Sequence, residues 1–285
     1  MKKMMKLLSL VLAVVMLLGC LTACGDKATD DKNSDSADDK VITVGATPTP
    51  HAEILNAAKD ALEAEGYTLK VLEFTDYVQP NTALVDGDLD ANYFQHTPYL
   101  NSFNAANGTD LVSAAKIHYE PFGLYGNGVD SVDAIASDAT ILIPADDSNE
   151  TRALLLLAQE GLIELPADAS AEKGVTTLDI VDAKGHDVQA LQADTVPAQL
   201  ANSNEGTVAV INGNYALDSG LTADDAIYKE SEYADNSYYC LIAVRSEDAE
   251  NPVYKRIVEA YQTQDTIDIY NNEFKGFFVP AWTLG

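Results

Sequence analysis

The sequence predicts an α/β fold with two lobes, each a β-sheet flanked by helices. Three observations lead to this prediction. Short buried strands alternate with amphipathic helices, and this pattern starts again near Ala139. From Val41 onward about 245 residues remain, enough for one large domain or two of ordinary size.

In the first half, the β-branched segment 41–46 is predicted to be a buried strand, and residues 69–74 a second one. Apolar residues at helical spacing predict a helix over 51–64. Another helix is predicted from Gln79 to just before Gly87. Strands and helices that alternate in this way form a parallel sheet with helices on its faces.

The second half repeats the pattern. Strands are predicted at 139–144, 208–211 and 240–244, and helices at 152–159 and 252–262. In such folds a ligand binds at the carboxyl ends of the strands, so we expect a site between the two lobes.

The first 23 residues are predicted to be a signal peptide. Three lysines precede an apolar run of about 12 residues, which is shorter than the roughly 20 needed to span a membrane. Leu21-Thr22-Ala23-Cys24 follows and resembles the lipobox of bacterial lipoproteins, where the chain is cut before an acylated cysteine. We expect lipidation at Cys24, with Cys20 as the weaker candidate. A plain signal peptide with an incidental cysteine is the competing interpretation.

Residues 26–40 contain no large apolar side chain, so 24–40 is predicted to be a flexible tether. The formal net charge is −28. A surface this acidic repels phosphate backbones, which excludes nucleic acid as a partner. Only Cys24 and Cys240 remain after cleavage, so no disulfide framework is expected.

Catalytic motifs such as GxSxG, HExxH and CxxC are absent from the sequence, so we predict neither an enzyme nor a cofactor. The four histidines lack metal-site spacing, and no metal is predicted. A metal site that folding assembles from His96, His118 and carboxylates is the alternative. A hydrolase with His96 or His118 as its base is a competing hypothesis, although no partnered nucleophile accompanies either residue.

Three segments rich in polar and aromatic residues are predicted to be loops at strand ends: 75–81, 90–96 and 116–121. Their rings and imidazoles suit a flexible apolar or thioether side chain, because such rings combine an apolar body with a polar tip. Tyr93 and Tyr99 are predicted to belong to the core instead.

Arg152 is the only basic residue between Lys116 and Lys173. It is predicted to lie in the first turn of a helix, where the helix dipole favours anions. We therefore expect its guanidinium to grip a ligand carboxylate, assisted by the helix N-terminus. The competing interpretation is an exposed arginine paired with Asp147 or Glu150.

Five motifs occur in order along the chain: 44–48, 74–81, 90–96, 152–157 and 209–216. Together they resemble the methionine-binding lipoproteins of ABC importers, the NlpA-type lipoprotein family, from Val41 to the C-terminus. The resemblance implies a two-lobe, type II periplasmic-binding-protein-like fold with two crossovers. The predicted division is 41–127 plus 239–285 for lobe 1 and 128–238 for lobe 2.

The resemblance also implies roles for individual residues. Arg152 is expected to hold the ligand carboxylate, and Asn212 its main chain. The ligand side chain is expected to lie among four residues: Tyr77, Phe94, His96 and His118. The implied partners are methionine or a related amino acid, and the permease and ATPase of an ABC importer. The implied location is the extracytoplasmic face of the cell membrane, through a lipid anchor.

Cys240 departs from the family pattern, which usually has an asparagine that hydrogen-bonds the ligand at this position. A thiol cannot replace the paired hydrogen bonds of an amide, and such a loss costs about 1.5–3 kcal/mol. Asn236 is an alternative donor if the loop is shifted. Methionine is the leading ligand, and another amino acid or a short methionine-containing peptide is the alternative. A surface adhesin or signalling protein on the same fold is a more remote one.

Overall fold

The computed structural model describes residues 40–231, 237–275 and 277–282, which contain eleven strands and nine α-helices. The strands are β1 (Val41–Ala46), β2 (Thr68–Glu73), β3 (Ala91–His96), β4 (Val112–Tyr119), β5 (Gly123–Gly126), β6 (Thr140–Pro144), β7 (Asp187–Leu191), β8 (Val208–Ile211), β9 (Ala226–Lys229), β10 (Tyr239–Val244) and β11 (Val279–Pro280). The α-helices are α1 (Glu53–Ala57), α2 (Lys59–Ala64), α3 (Gln79–Asp86), α4 (Thr97–Asn107), α5 (Asp147–Gln159), α6 (Val196–Ala201), α7 (Gly213–Asp218), α8 (Pro252–Tyr261) and α9 (Gln264–Asn272).

Several predictions fall on residues outside these ranges. They concern the signal peptide 1–23, the lipidation candidates Cys20 and Cys24, nearly all of the tether, and Asn236. Within the described ranges, no helix combines the length and the apolar composition that crossing a bilayer requires.

The strands form two sheets. The first has the order β2-β1-β3-β10-β4-β11, in which β1 runs parallel to β2 and β3 while β10 lies antiparallel between β3 and β4. The second has the order β7-β6-β8-β5-β9, in which β6 runs parallel to β7 and β8 while β5 is antiparallel to β8 and β9. The chain passes between the sheets twice, after β4 and after β9. This confirms the predicted fold class of two helix-flanked sheets with two crossovers.

Each sheet has its own apolar core, because its central strands are buried on both faces. In the first sheet, Val44 of β1 belongs to the same buried cluster as Ile257 of α8. In the second, Ile141 of β6 belongs to a cluster with Leu154 and Leu157 of α5. The leucine-rich sequence of α5 therefore covers the second sheet.

One lobe boundary differs from the prediction. Strand β5 was assigned to lobe 1 by the boundary at residue 127, yet it pairs with β8 and β9 of the second sheet. The first crossover is therefore the short segment 120–122. The rest of the predicted lobe division stays a prediction.

Two predicted loops are wrong over most of their length, because these residues form strands. Residues 91–96 form β3 and residues 112–119 form β4, both inside the first sheet. The polar side chains of β3 suggested a loop, but they are satisfied inside the protein. The Gln95 amide donates to Asn81 and Asn92 at 2.7 and 2.8 Å, and the Asn92 amide donates to Asn81 at 2.8 Å.

Two predicted helices have different limits. The helix predicted over 51–64 is divided into a π turn at Pro48–Ala52 and the short helices α1 and α2, which meet at Ala58. Helix α5 begins at Asp147, because the Asp146 carboxylate caps it by accepting a hydrogen bond from the Asn149 N–H. Arg152 is thus in the second turn of α5, and the prediction that it lies in the first turn is wrong.

Candidate functional site

A cavity lies between the two sheets, beside both crossovers. Its volume is about 20 Å³, room for about one water molecule. Its walls therefore lie close together. The lining residues come from both sheets and from the first crossover: Tyr77, Phe94, Gln95, His96, Tyr99, Glu120, Phe122, Asn149, Arg152, Asn212, Gly213 and Cys240.

Hydrogen bonds join the two sides of this cavity. The Tyr77 hydroxyl donates to the Asn214 side-chain oxygen at 2.6 Å, and the Tyr215 hydroxyl donates to the backbone oxygen of Thr75 at 3.1 Å. The Tyr77 and Tyr215 rings stack with their centroids 4.7 Å apart. The structure therefore shows the two halves closed on each other, and a solute larger than water enters only when they separate.

Arg152 lines the cavity and is 1% exposed, so the alternative of an exposed arginine is wrong. Its acidic partner is Glu230, rather than Asp147 or Glu150. The Arg152 Nε lies 3.0 Å from each carboxylate oxygen of Glu230, and Nη2 also contacts that carboxylate. The guanidinium carbon lies 4.1 Å from the ring centroid of Phe122 and 4.3 Å from that of Tyr238.

The ion pair also ties the two crossovers together. The Arg152 Nη2 donates to the backbone oxygen of Glu120 on the first crossover at 2.7 Å. Glu230 directly follows β9, where the second crossover begins. Its carboxylate accepts from the Phe122 N–H at 3.1 Å and from the Tyr119 hydroxyl at 2.9 Å. One cation from the second lobe thus fixes both connections between the sheets.

Asn212 lies between β8 and α7, and its side chain carries a buried polar atom. The residue is 7% exposed and lines the cavity, yet its side-chain oxygen Oδ1 has no hydrogen-bond partner among the described residues. A buried amide oxygen without a donor costs about 1–3 kcal/mol. A donor group entering the cavity would satisfy this oxygen.

Aromatic rings form one wall of the cavity. Tyr77, Phe94 and Tyr99 pack with ring centroids 5.6–5.7 Å apart. Tyr93, by contrast, is fully buried in the core of the first sheet, as predicted. Tyr99 belongs to a buried apolar cluster, as predicted, and it also lines the cavity beside Tyr77.

His96 is at the end of β3, and its imidazole reaches across to the second lobe. Its Nε2 lies 3.0 Å from the Asn149 side-chain oxygen, while its Nδ1 accepts from the Tyr99 N–H. Burial, reinforced by the nearby charge of Arg152, lowers the pKa of His96 to about 3. The ring is therefore neutral at physiological pH and acts as a hydrogen-bonding group.

His118 does not line the cavity, although it was predicted to contact the ligand. It lies behind Glu120, and its Nε2 is 2.8 Å from the carboxylate oxygen Oε1 of that residue. His51 lies on the same side, with its Nε2 3.3 Å from the same oxygen. Burial lowers the pKa of His51 and of His118 to about 3 and raises the pKa of the Glu120 carboxyl.

Cys240 is buried on β10, the strand between β3 and β4, and it lines the cavity. Burial raises the pKa of its thiol well above the usual range. The cysteine that replaces the usual asparagine of the family is therefore part of the cavity wall.

The sequence matches the profile of the family described as NlpA lipoprotein over residues 42–282. The chain belongs to the NlpA lipoprotein family. This NlpA chain is 35% identical over 281 residues to the methionine-binding lipoprotein MetQ of Bacillus subtilis, covering 97% of this chain and 99% of MetQ. It is 34% identical over 281 residues to outer membrane lipoprotein 3 of Mannheimia haemolytica, covering 98% of this chain and all of that protein.

Solved structures resemble this NlpA chain in fold as well as sequence. A nutrient binding protein from Burkholderia cenocepacia, bound to methionine, has a TM-score of 0.79 and 40% identity, covering 85% of this chain and all of that one. A periplasmic substrate-binding protein of an ABC transporter from Coxiella burnetii has a TM-score of 0.77 and 33% identity, covering 84% of this chain and all of that one.

The sequence did not single out several residues of the site. Glu120 lies in the segment 116–121 already noted for its composition, but nothing distinguished it there, and Asn149 lies in none of the noted segments. Glu230 is one of 45 acidic residues in the chain. No local pattern marks it as the partner of Arg152, which is 78 positions away.

We predict that Arg152→Ala and Glu230→Ala each lower the free energy of unfolding by about 3–5 kcal/mol, because each leaves a buried charge without its counter-ion. The double variant should lose less than the sum of the two single losses, since neither charge remains. Urea unfolding of the four proteins at neutral pH measures this difference. Strictly additive losses would show that the two charges do not stabilise each other.

Stability should fall with acidity, in part through His96. Its pKa is 6.5 when unfolded and about 3 when folded, so between these values the unfolded chain binds the proton and the folded chain does not. From pH 7.5 to pH 5 this removes about 2 kcal/mol from the free energy of unfolding. His96→Gln should reduce the pH-dependent loss by that amount in urea unfolding at the two pH values. An unchanged loss would contradict the lowered pKa.

Proposed function

We propose that this chain is the extracytoplasmic solute-binding lipoprotein of an ABC importer, and that it binds methionine in the cavity between the two sheets. The observation that carries the proposal is that the Arg152 guanidinium, the Glu120 carboxyl group and a cluster of aromatic rings line one cavity. The chain is a binding protein rather than an enzyme, as its family membership shows.

The polar groups of the wall suit a zwitterion. The α-carboxylate of an amino acid needs donors and positive charge, which Arg152 supplies. The α-ammonium group needs acceptors, and the Glu120 carboxylate and the side-chain oxygen of Asn212 line the same cavity. An ammonium group placed there would also donate a hydrogen bond to the Asn212 Oδ1, which has no partner in the chain as far as the structure describes it.

The aromatic wall suits the thioether side chain of methionine. Sulfur makes favourable contacts with aromatic rings, and Tyr77, Phe94 and Tyr99 offer three of them. Burial of a side chain of this size contributes about 1.5–3 kcal/mol to binding. The methionine-bound relative from Burkholderia cenocepacia, at 40% identity, supports the same ligand.

The cavity also bears on the alternative ligands. Its wall offers one guanidinium and one carboxyl group beside a single cluster of aromatic rings. These groups match the main chain and the one side chain of a single amino acid, which is therefore preferred to a short peptide. Cys240 provides a thiol where the family usually has an amide, so a related amino acid remains the second candidate.

Asn212→Ala should weaken methionine binding at least about tenfold, the effect of about 1.4 kcal/mol, because the ammonium group loses an acceptor. Asn212 suits this test better than Arg152, whose removal also breaks the buried ion pair. Isothermal titration calorimetry measures the affinity, and thermal unfolding confirms that the variant is folded.

The matched control is Asn202→Ala, which removes an exposed asparagine of the same lobe and should leave the affinity unchanged. A panel of L- and D-amino acids and methionine dipeptides, followed by thermal unfolding, tests the ligand class, since a ligand stabilises the folded state by mass action. Equal affinity of Asn212→Ala and wild type would remove Asn212 from the site. A panel without any stabilising compound would contradict the proposed function.

Membrane attachment and transport partners belong to the same proposal. Lipidation of Cys24 would hold the protein at the extracytoplasmic face of the membrane, where the permease would receive the solute. The ATPase partner would drive import from the other face. A single acyl chain gives only marginal attachment, so a second lipid signal, such as a diacylglycerol, is required. The lipoprotein names of the relatives support this anchor.

Cys24→Ala should abolish incorporation of labelled palmitate and release the protein from the membrane fraction, because no other cysteine would be the acceptor. Cys20→Ala is the matched control and should remain acylated and membrane-bound. Fractionation of bacterial cells that express each variant measures both properties. Persistent acylation of Cys24→Ala would refute the assignment of the anchor.

A further inference from the structure

We propose that His51, His118, Glu120 and Cys240 form a binding site for one divalent transition-metal ion, with Zn²⁺ as the best match. The site lies directly behind the wall of the solute cavity, and Glu120 and Cys240 belong to both.

The four side chains converge from separate parts of the fold. His51 lies on the π turn after β1, His118 is in β4, Glu120 follows β4, and Cys240 is in β10. Cys240 is paired with His118 in the register of β10 and β4, so their side chains project from the same face of the sheet. All four residues are at most 6% exposed.

The donor atoms are already close to a coordination geometry. One atom from each residue lies within 4.8 Å of all the others. Donor atoms in a tetrahedral zinc site are about 3.3–3.8 Å apart, given bonds of about 2.0–2.3 Å. Movements of about 1 Å or less therefore bring the four atoms onto one ion.

A second, independent observation is the orientation of the imidazoles. The outer ring nitrogen of each is held by an oxygen: His51 Nδ1 lies 2.7 Å from the Thr47 hydroxyl, and His118 Nδ1 lies 2.5 Å from the Tyr93 hydroxyl. Metal-binding histidines are usually oriented in this way, with the other nitrogen directed at the ion.

The inner nitrogen of His51 indicates a ligand most directly. His51 is fully buried, and its Nε2 has no hydrogen-bond partner within the part of the chain that the structure describes. The nearby Glu120 oxygen is at 3.3 Å but makes no hydrogen bond of good geometry with it. A metal ion would bind the lone pair of this nitrogen.

The donor set selects the class of metal. Two neutral imidazoles, one carboxylate and one thiolate carry a charge of −2, which a divalent ion balances. A thiolate with imidazoles favours Zn²⁺ and similar transition metals over Mg²⁺ and Ca²⁺, which prefer oxygen. The cysteine that departs from the family pattern provides the sulfur donor.

The test is titration of the reduced full-length protein with Co²⁺, followed by optical absorption. Bound cobalt should give a thiolate-to-cobalt charge-transfer band at one equivalent, and Zn²⁺ should remove it. Cys240→Ser should lose the band entirely, although the chain also contains Cys20 and Cys24. His51→Gln should bind cobalt at least about tenfold more weakly, the effect of about 1.4 kcal/mol.

His186→Gln is the matched control, because it removes a histidine outside the cluster and should leave the titration unchanged. The many carboxylates of the surface bind cobalt weakly in every variant, but they give no thiolate band. Circular dichroism confirms that each variant is folded, and Cys240→Ala replaces Cys240→Ser if the latter is not. The proposal is overturned if folded wild-type protein shows no band, or if the band persists in the cysteine variant or with undiminished affinity in His51→Gln.

Discussion

The buried ion pair between Arg152 and Glu230 is the constraint on which the rest of the site depends. Two charges removed from water must pair with each other, and their remaining polar atoms must be hydrogen-bonded. Otherwise the free energy of unfolding falls by several kcal/mol. Here the guanidinium lies between the rings of Phe122 and Tyr238 and also binds the first crossover. Both crossovers contact the Arg152–Glu230 pair, and this contact fixes the position of the cavity between the sheets.

Around this ion pair, several ionisable side chains lie close together in an environment shielded from water. Glu120 lines the cavity with its carboxylate, and its backbone oxygen binds Arg152. The three buried histidines His51, His96 and His118 stay neutral because burial opposes their protonation. The site is therefore polar but carries few charges, which suits recognition of a solute that has one charge of each sign.

The sequence predicted the fold class and most central strands well, because buried strands and amphipathic helices have clear periodicities. It failed at β3 and β4, whose Asn, Gln and His side chains are typical of loops. In the fold, partners from other elements satisfy most of these side chains. Six of the seven predicted ligand-binding residues line one cavity, and His118 lies behind it. Glu230 was not predictable, since its pairing with Arg152 exists only after both crossovers are formed.

The hydrogen bonds across the cavity have a kinetic consequence. Tyr77 and Tyr215 each bind the opposite lobe, so a solute held between them has no exit while these contacts last. Its residence time then reflects how often the lobes separate, more than the strength of any one contact with the solute. A membrane partner that grips both lobes and holds them apart would speed the unloading of cargo without touching the cargo itself.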